Sequence, residues 1–265
     1  MNQKNLNAVN SKPYTFDAVK VKNEIVGWIR EYFRQNGSDC KAIIGISGGK
    51  DSSVVAALCV EALGEDRVIG VLMPDGYQKD IGDAEQLCEH LGIKSYEINI
   101  GNATEAIRVA MLACGLVPSV QTKTNLPPRI RMATLFAVAQ TCNGRVANTC
   151  NFSEDFLGWN TLFGDSAGQF APLAKLTATE VIKIAEVLNL PENLVHKAPA
   201  DGLTDKSDED NFGFTYDFLD IYIRTGYYGI DTATAAKIDS MHDRNKFKLA
   251  PMPHFDYYPE DPYRF

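Results

Sequence analysis

Apolar positions recur at helical spacing through Phe16, Val19, Val21, Ile25, Val26, Ile29, Tyr32 and Phe33, which predicts an amphipathic helix ending near Gly37. The period then changes. Lys41 to Ile46 is a short, Ile-rich run bounded by glycines and predicts a buried strand. Val54 to Leu63 reads as a helix that Gly64 stops, Arg67 to Met73 as a second strand, and Asp80 to Leu91 as a helix closed by Gly92. A third strand is expected over Lys94 to Ile100, and a helix from about Asn102 to Ala113. Strand and helix alternate, so the fold class is α/β: a parallel sheet flanked by helices.

Further along, Asn125-Leu126-Pro127-Pro128 reads as a helix entrance, because proline is tolerated in a first turn, with Arg129 to Thr141 following as helix. Arg145 to Thr149 predicts the next strand. Residues 150–176, with three glycines and Pro172, read as a long irregular segment, which in a compact domain is usually functional. Thr177-Ala178-Thr179-Glu180 fits a capping box opening a helix to about Asn189. A polar loop over Pro191 to Asp210 and helices over Phe214 to Thr225 and Thr232 to His242 complete the reading. The Pro- and aromatic-rich tail, Pro251 to Phe265, is expected to pack on the surface or on a partner. With no repeat or linker apparent, 1–265 reads as one domain, a core over about 15–190 and a C-terminal helical part over about 191–265.

Composition narrows the function. Among 265 residues, 26 Lys and Arg face 34 Asp and Glu, a net charge of -8, and no basic run exists to track a nucleic-acid backbone. The six cysteines are scattered, with no CxxC pair and no Cys/His cluster, which argues against zinc, iron–sulfur and disulfide scaffolds. Met1 to Lys20 lacks the apolar stretch of a signal peptide, and no later run approaches a membrane span. A soluble, cytoplasmic protein is expected.

The candidate chemistry lies at the first strand–helix turn, Ser47-Gly48-Gly49-Lys50-Asp51-Ser52. Glycines let backbone N–H groups converge, and the helix N-terminus adds partial positive charge, so the turn suits a phosphate. It is not a Walker A loop: Ile44 occupies the position of the first required glycine, and Asp51 follows Lys50 where Ser or Thr belongs. Asp51 beside a phosphate cradle implies an intervening cation, for which Mg²⁺ is suited. Lys50, at the variable position of the motif, is expected to face solvent.

Gly45-Ile46-Ser47-Gly48-Gly49-Lys50-Asp51-Ser52 resembles the pyrophosphate-binding loop of the N-type ATP pyrophosphatases, which cleave ATP between the α and β phosphates and adenylate a substrate. Downstream, Asn125 to Met132, Asn148 to Glu154, Phe163-Gly164-Asp165, Pro172-Leu173, Lys197 to Leu203, Asp208-Glu209 and Gly213 to Tyr216 appear in an order that is similar to the ammonia-dependent NAD synthetases over nearly the whole chain. The resemblance implies an adenine-nucleotide alpha hydrolase-like, Rossmann-like fold. It also implies amidation of deamido-NAD to NAD through an adenylate, with release of AMP and pyrophosphate. By position, Gly45 to Ser52 would hold the ATP phosphates, with Gln78 and Thr149 also contacting ATP, and Asp51 and Glu154 would ligate Mg²⁺. Arg129, Lys246 and Asp165 would contact deamido-NAD, Lys246 across a homodimer interface. No protein nucleophile is required, and 265 residues leave no space for a glutaminase, so free ammonia, or a separate glutaminase, is the expected nitrogen source.

The chain departs from the family pattern at Leu72, Leu162, Gln169, Ala178 and Asn245, where charged or basic ligands are usual. Two other readings therefore stand beside the first: a same-fold ligase adenylating a different carboxylate, and a non-catalytic nucleotide-binding paralogue. Single residues have plainer readings as well. Glu154 could be a loop carboxylate, Asp165 an Asx-turn residue, Arg131 part of an exposed helix face, and Cys150 a small buried hydrophobe. His90, His196, His242 and His254 read as structural or surface residues.

Overall fold

A computed structural model of the protein describes residues 14–197, 207–226 and 231–255. The start of the chain, the Ala198 to Leu203 part of the resemblance and the tail beyond residue 255 lie outside the described residues. Four strands, β1 (Lys41–Gly45), β2 (Val68–Leu72), β3 (Lys94–Glu97) and β4 (Gly144–Val146), form one parallel sheet in the order β3-β2-β1-β4. Ala42 lies opposite Val68 on one side and Arg145 on the other. The chain leaves β1 toward β2 but returns on the far side with β4, and ligands of open parallel sheets bind at such a reversal, outside the carboxyl ends of the strands.

Alternation along β1 divides the core. Ile44 joins α1 (Ala18–Asn36), α2 (Lys50–Leu63) and α7 (Ala178–Val187) in a cluster that includes Ile29, Phe33, Leu58 and Ile184. Ile43 points the other way and meets Ile69, Val71 and Val146 under Ile130, Leu135 and Val138 of α5 (Val120–Thr141). Both sheet faces are thus covered, as an all-parallel sheet requires. The helix α3 (Ile81–His90) follows β2, and α4 (Gly101–Ala113) follows β3, the exposed edge strand. A third cluster joins Leu157 of α6 (Phe152–Leu157) and Ala178 to Phe212 of α9 (Asp208–Phe212), Leu219 of α10 (Tyr216–Thr225) and Ile238 of α11 (Thr232–Asn245). The short α8 (Glu192–Val195) buries Leu194 and Val195.

Several sequence expectations need correction. The prolines do not open α5: Ser119 caps it by accepting from the Thr122 N–H at 3.1 Å, and Pro127 and Pro128 lie inside it. Packing against the sheet offsets the two missing backbone donors. The segment expected to be irregular contains α6, and the expected polar loop contains α8 and the start of α9. The helix after the loop begins at Lys50 rather than Val54. The capping box at Thr177 and Glu180 is present as expected, and all six cysteines are free. No helix of the described residues is long and apolar enough to cross a membrane.

Candidate active site

The turn between β1 and α2 is held open by its own hydroxyls. Ser47 N–H donates to Ser52 Oγ at 3.3 Å, Gly49 N–H to Ser47 Oγ at 3.3 Å, and Ser52 and Ser53 Oγ donate to Gly49 O at 3.2 and 2.8 Å. Gly48 runs at φ +79°, and a Cβ there would lie 2.8 Å from Asp83 Cβ at the start of α3. Only glycine satisfies both the left-handed backbone and that approach. Gly49 caps α2 without a side-chain hydrogen bond, so the first-turn N–H groups point outward as an anion site.

Beside this cradle the helices that follow β1 and β4 meet. Asn151, fully buried, caps α6 by accepting from the Glu154 N–H at 3.1 Å and donates through Nδ2 to Asp51 Oδ1 at 3.0 Å. The other carboxylate oxygen, Asp51 Oδ2, accepts from Lys50 Nζ at 2.8 Å. Burial, then the neighbouring Asp51, pushes the Glu154 carboxyl well above the usual carboxylate range, while Lys50 partly offsets this. Lys50 does not face solvent: its residue is 7% exposed, with Nζ 5.8 Å from the centre of the Tyr216 ring. Burial alone would lower its ammonium, but Asp51 and Glu154 outweigh that and hold it raised. A turn motif carries no periodicity from which this burial could be read. Asp208 accepts from Trp159 Nε1 at 3.1 Å and from Tyr216 Oη at 3.2 Å. Asp208 and Tyr216 had no assigned role in the sequence, although both fall in matched segments.

Two hard oxygen donors next to a phosphate cradle fit Mg²⁺, which is commonly bound through one or two carboxylates together with substrate phosphates. No larger His, Cys, Asp and Glu group able to hold a metal exists among the described residues, and none is needed for that mode.

The residues expected to contact deamido-NAD lie on different elements, and no hydrogen bond or ion pair among the described residues joins Lys246 to Arg129 or Asp165. Arg129 Nε donates to Leu162 O at 3.3 Å, and Asp165 Oδ1 accepts from the Thr161 N–H at 2.7 Å, closing a tight turn, with burial raising its carboxyl. Lys246 is exposed and pairs with Asp243 at 3.0 Å. Lys248, which the sequence did not single out, instead donates to Gly158 O at 2.7 Å and Asn160 O at 2.9 Å. Its placement is set by tertiary packing after α11, which leaves no local signal. Arg131 is not part of an exposed face: its Nε donates to Met73 O at 2.9 Å, and burial lowers its guanidinium. Gln78 donates to Asp80 at 3.1 Å. Thr149 follows β4 between Asn148 and Cys150, which are linked by a 3.0 Å bond from the Cys150 N–H to Asn148 Oδ1. Cys150 is buried, as expected, and His242 stacks on Phe156 with ring centres 4.1 Å apart.

Four of the five departures serve the fold. Leu72 is buried in β2, and Gln169 Oε1 accepts from the Val146 N–H at 2.9 Å. Ala178 is buried in the cluster with Leu157 and Phe212, and Asn245 Nδ2 donates to Leu157 O at 3.0 Å.

Residues 21–252 match the sequence profile of the family described as NAD synthase. The chain belongs to the NAD synthase family. Within it, the chain is 36% identical over 202 residues to the NH(3)-dependent NAD(+) synthetase of Pyrococcus furiosus, covering 76% of each chain. Its fold is similar to the structure of NMN synthetase from Francisella tularensis, with a TM-score of 0.81 and 32% identity, covering 91% of this chain and all of that one. The NH3-dependent NAD synthetase from Campylobacter jejuni superposes with a TM-score of 0.73 at 27% identity, covering 92% and 100%. The NAD synthase fold thus accounts for the parallel sheet flanked by helices.

Proposed function

We propose that the protein is a ligase that amidates deamido-NAD to NAD with ammonia, using ATP and Mg²⁺. One observation carries this reading: in a chain of the NAD synthase family, the outward-pointing N–H groups of α2 adjoin the Asp51 and Glu154 carboxylates. The nicotinate carboxylate attacks the α phosphorus of ATP, the bond to the β-phosphate oxygen breaks, and pyrophosphate leaves with the electron pair. Ammonia then displaces AMP. Ser47, Gly48, Gly49 and Ser52 hold the pyrophosphate end, Gln78 and Thr149 contact ATP, and Arg129, Asp165 and Lys246 orient deamido-NAD. Asp51 and Glu154 hold Mg²⁺, which when bound supplies positive charge to the phosphates. Such chemistry needs charge placement rather than a protein nucleophile. Purified protein given ATP, Mg²⁺, ammonium and deamido-NAD is expected to form NAD, AMP and pyrophosphate in equal amounts; ATP turnover without NAD overturns the reading.

The similarity to the Francisella tularensis NMN synthetase favours a second reading, in which the nicotinate carboxylate belongs to the mononucleotide. Competition between deamido-NAD and nicotinate mononucleotide in one assay separates the two by their kcat/KM ratio. A homodimer in the cytoplasm completes the proposal. Thr104 is the one buried residue of the largely apolar α4, and Ile107, Val109, Leu112, Leu116, Val117 and Val120 are exposed on and after it. A second copy over this face would cover them. Light scattering is expected to give twice the chain mass, and a monomer at micromolar concentration contradicts the assignment.

A further inference from the structure

Lys50 is a cation in an unusual place. It is the first residue of α2, where the helix dipole and free N–H groups favour anions, and it is buried, which lysine rarely tolerates without a partner. Its partner is Asp51, at 2.8 Å, with Tyr216 on its other side. Glu154 and Asp208 add to the negative field that keeps its ammonium charged.

We propose that Lys50 is a tethered cation that occupies the Asp51 carboxylate until a divalent ion takes it, whereupon the freed ammonium binds the pyrophosphate end of the nucleotide. This rests on the reading that the loop holds the phosphates of ATP. Before loading, one ammonium offsets part of the charge of Asp51 and Glu154, which keeps the two carboxylates from repelling each other in a partly buried site. After loading, the metal and the ammonium bring three positive charges against the carboxylates of Asp51, Glu154 and Asp208, so the site no longer repels the polyanionic pyrophosphate. Lys50 then acts as a binding group for the leaving pyrophosphate, and the metal acts as the trigger for its release from Asp51.

Lys50→Met is the test, read out by two binding measurements. Removing a neighbouring positive charge is expected to tighten Mn²⁺ binding to the nucleotide-free protein, followed by electron paramagnetic resonance, by about tenfold. The same change is expected to weaken calorimetric binding of pyrophosphate, with Mg²⁺ present, by about tenfold. A damaged fold would weaken both, so the opposite signs isolate the exchange. Lys50→Gln, neutral but polar, is expected to show the same two signs and serves if the methionine variant does not fold. Unchanged or weaker Mn²⁺ binding, or unchanged pyrophosphate binding, overturns the proposal. Neither measurement uses deamido-NAD or ammonia, so a negative amidation assay leaves both intact. Failure of the unsubstituted protein to bind pyrophosphate overturns the loop reading and this proposal together.

Discussion

At Gly48, the left-handed backbone and the 2.8 Å approach to Asp83 act on the same atom, the Cβ that glycine lacks. Gly48→Ala is expected to destabilise the protein by about 2 kcal/mol, within the usual range for a residue forced into a sparse backbone region, as measured by urea unfolding. ATP should also cease to raise the melting temperature, because the cradle is displaced. Asp51→Asn and Glu154→Gln each remove one charge from the proposed metal site and are expected to lower kcat by about a hundredfold, the scale for losing one electrostatic stabiliser. Unaltered Mg²⁺ dependence in either variant would remove that residue from the metal site. The glycines, serines and Asp51 were legible in the sequence because their chemistry is local to one turn. The burial of Lys50 and the reach of Lys248 were not, since both depend on elements more than 80 residues away: Tyr216 for the first and Gly158 for the second.

Elements with a clear apolar pattern were legible, α1, β1 and β2 among them, although α2 begins about one turn before the apolar run that predicted it. The errors fell where short-range rules conflict with packing. In α5, a proline pair that suits a first turn lies about two turns inside, because Ser119 supplies a cap and the face carrying Ile130, Leu135 and Val138 is held on the sheet. With six residues, α6 is too short to show a period, yet it carries Glu154. The capping box of α7 was legible, but its second use was not: Glu180, almost fully buried, also accepts from Arg224 at 2.7 and 2.5 Å and from Tyr14. Burial alone would raise the Glu180 carboxyl, but its bonds to Arg224 and Tyr14 hold it below its ordinary value of 4.5. The stabilisation is therefore present above that value and lost as pH falls below it. Arg224→Met is expected to cost about 3 kcal/mol near pH 7, as for breaking a buried pair. The gap between variant and parent should narrow when urea unfolding is repeated below pH 4.5; a constant gap would show that the pair is not the source of that acid sensitivity.

Across the whole molecule, the C-terminal helices are joined to the sheet-bearing part by buried groups. Ser153 of α6 donates to Asp220 of α10, which accepts from the Thr179 N–H of α7 at 2.8 Å, and Phe212, Leu219 and Ile238 cover Leu157 and Ala178. We propose that the chain is one cooperative domain, as its sequence suggested. Calorimetry is expected to give a single transition with equal calorimetric and van't Hoff enthalpies, whereas two resolved transitions would divide it near residue 190. The net charge of -8 gains meaning at this scale: attraction for polyanions cannot come from the overall charge and must come from local groups. The bond from Asn151 to Asp51 also spans 100 residues of sequence. Contacts of such separation form late, after the intervening loop entropy has been overcome. Asp51 cannot take its final orientation before β4 has docked beside β1, so a refolding chain should regain helix content ahead of metal-dependent nucleotide binding. Stopped-flow refolding with a fluorescent ATP analogue would reveal that order, and the site would then serve as the molecule's own report that folding is complete.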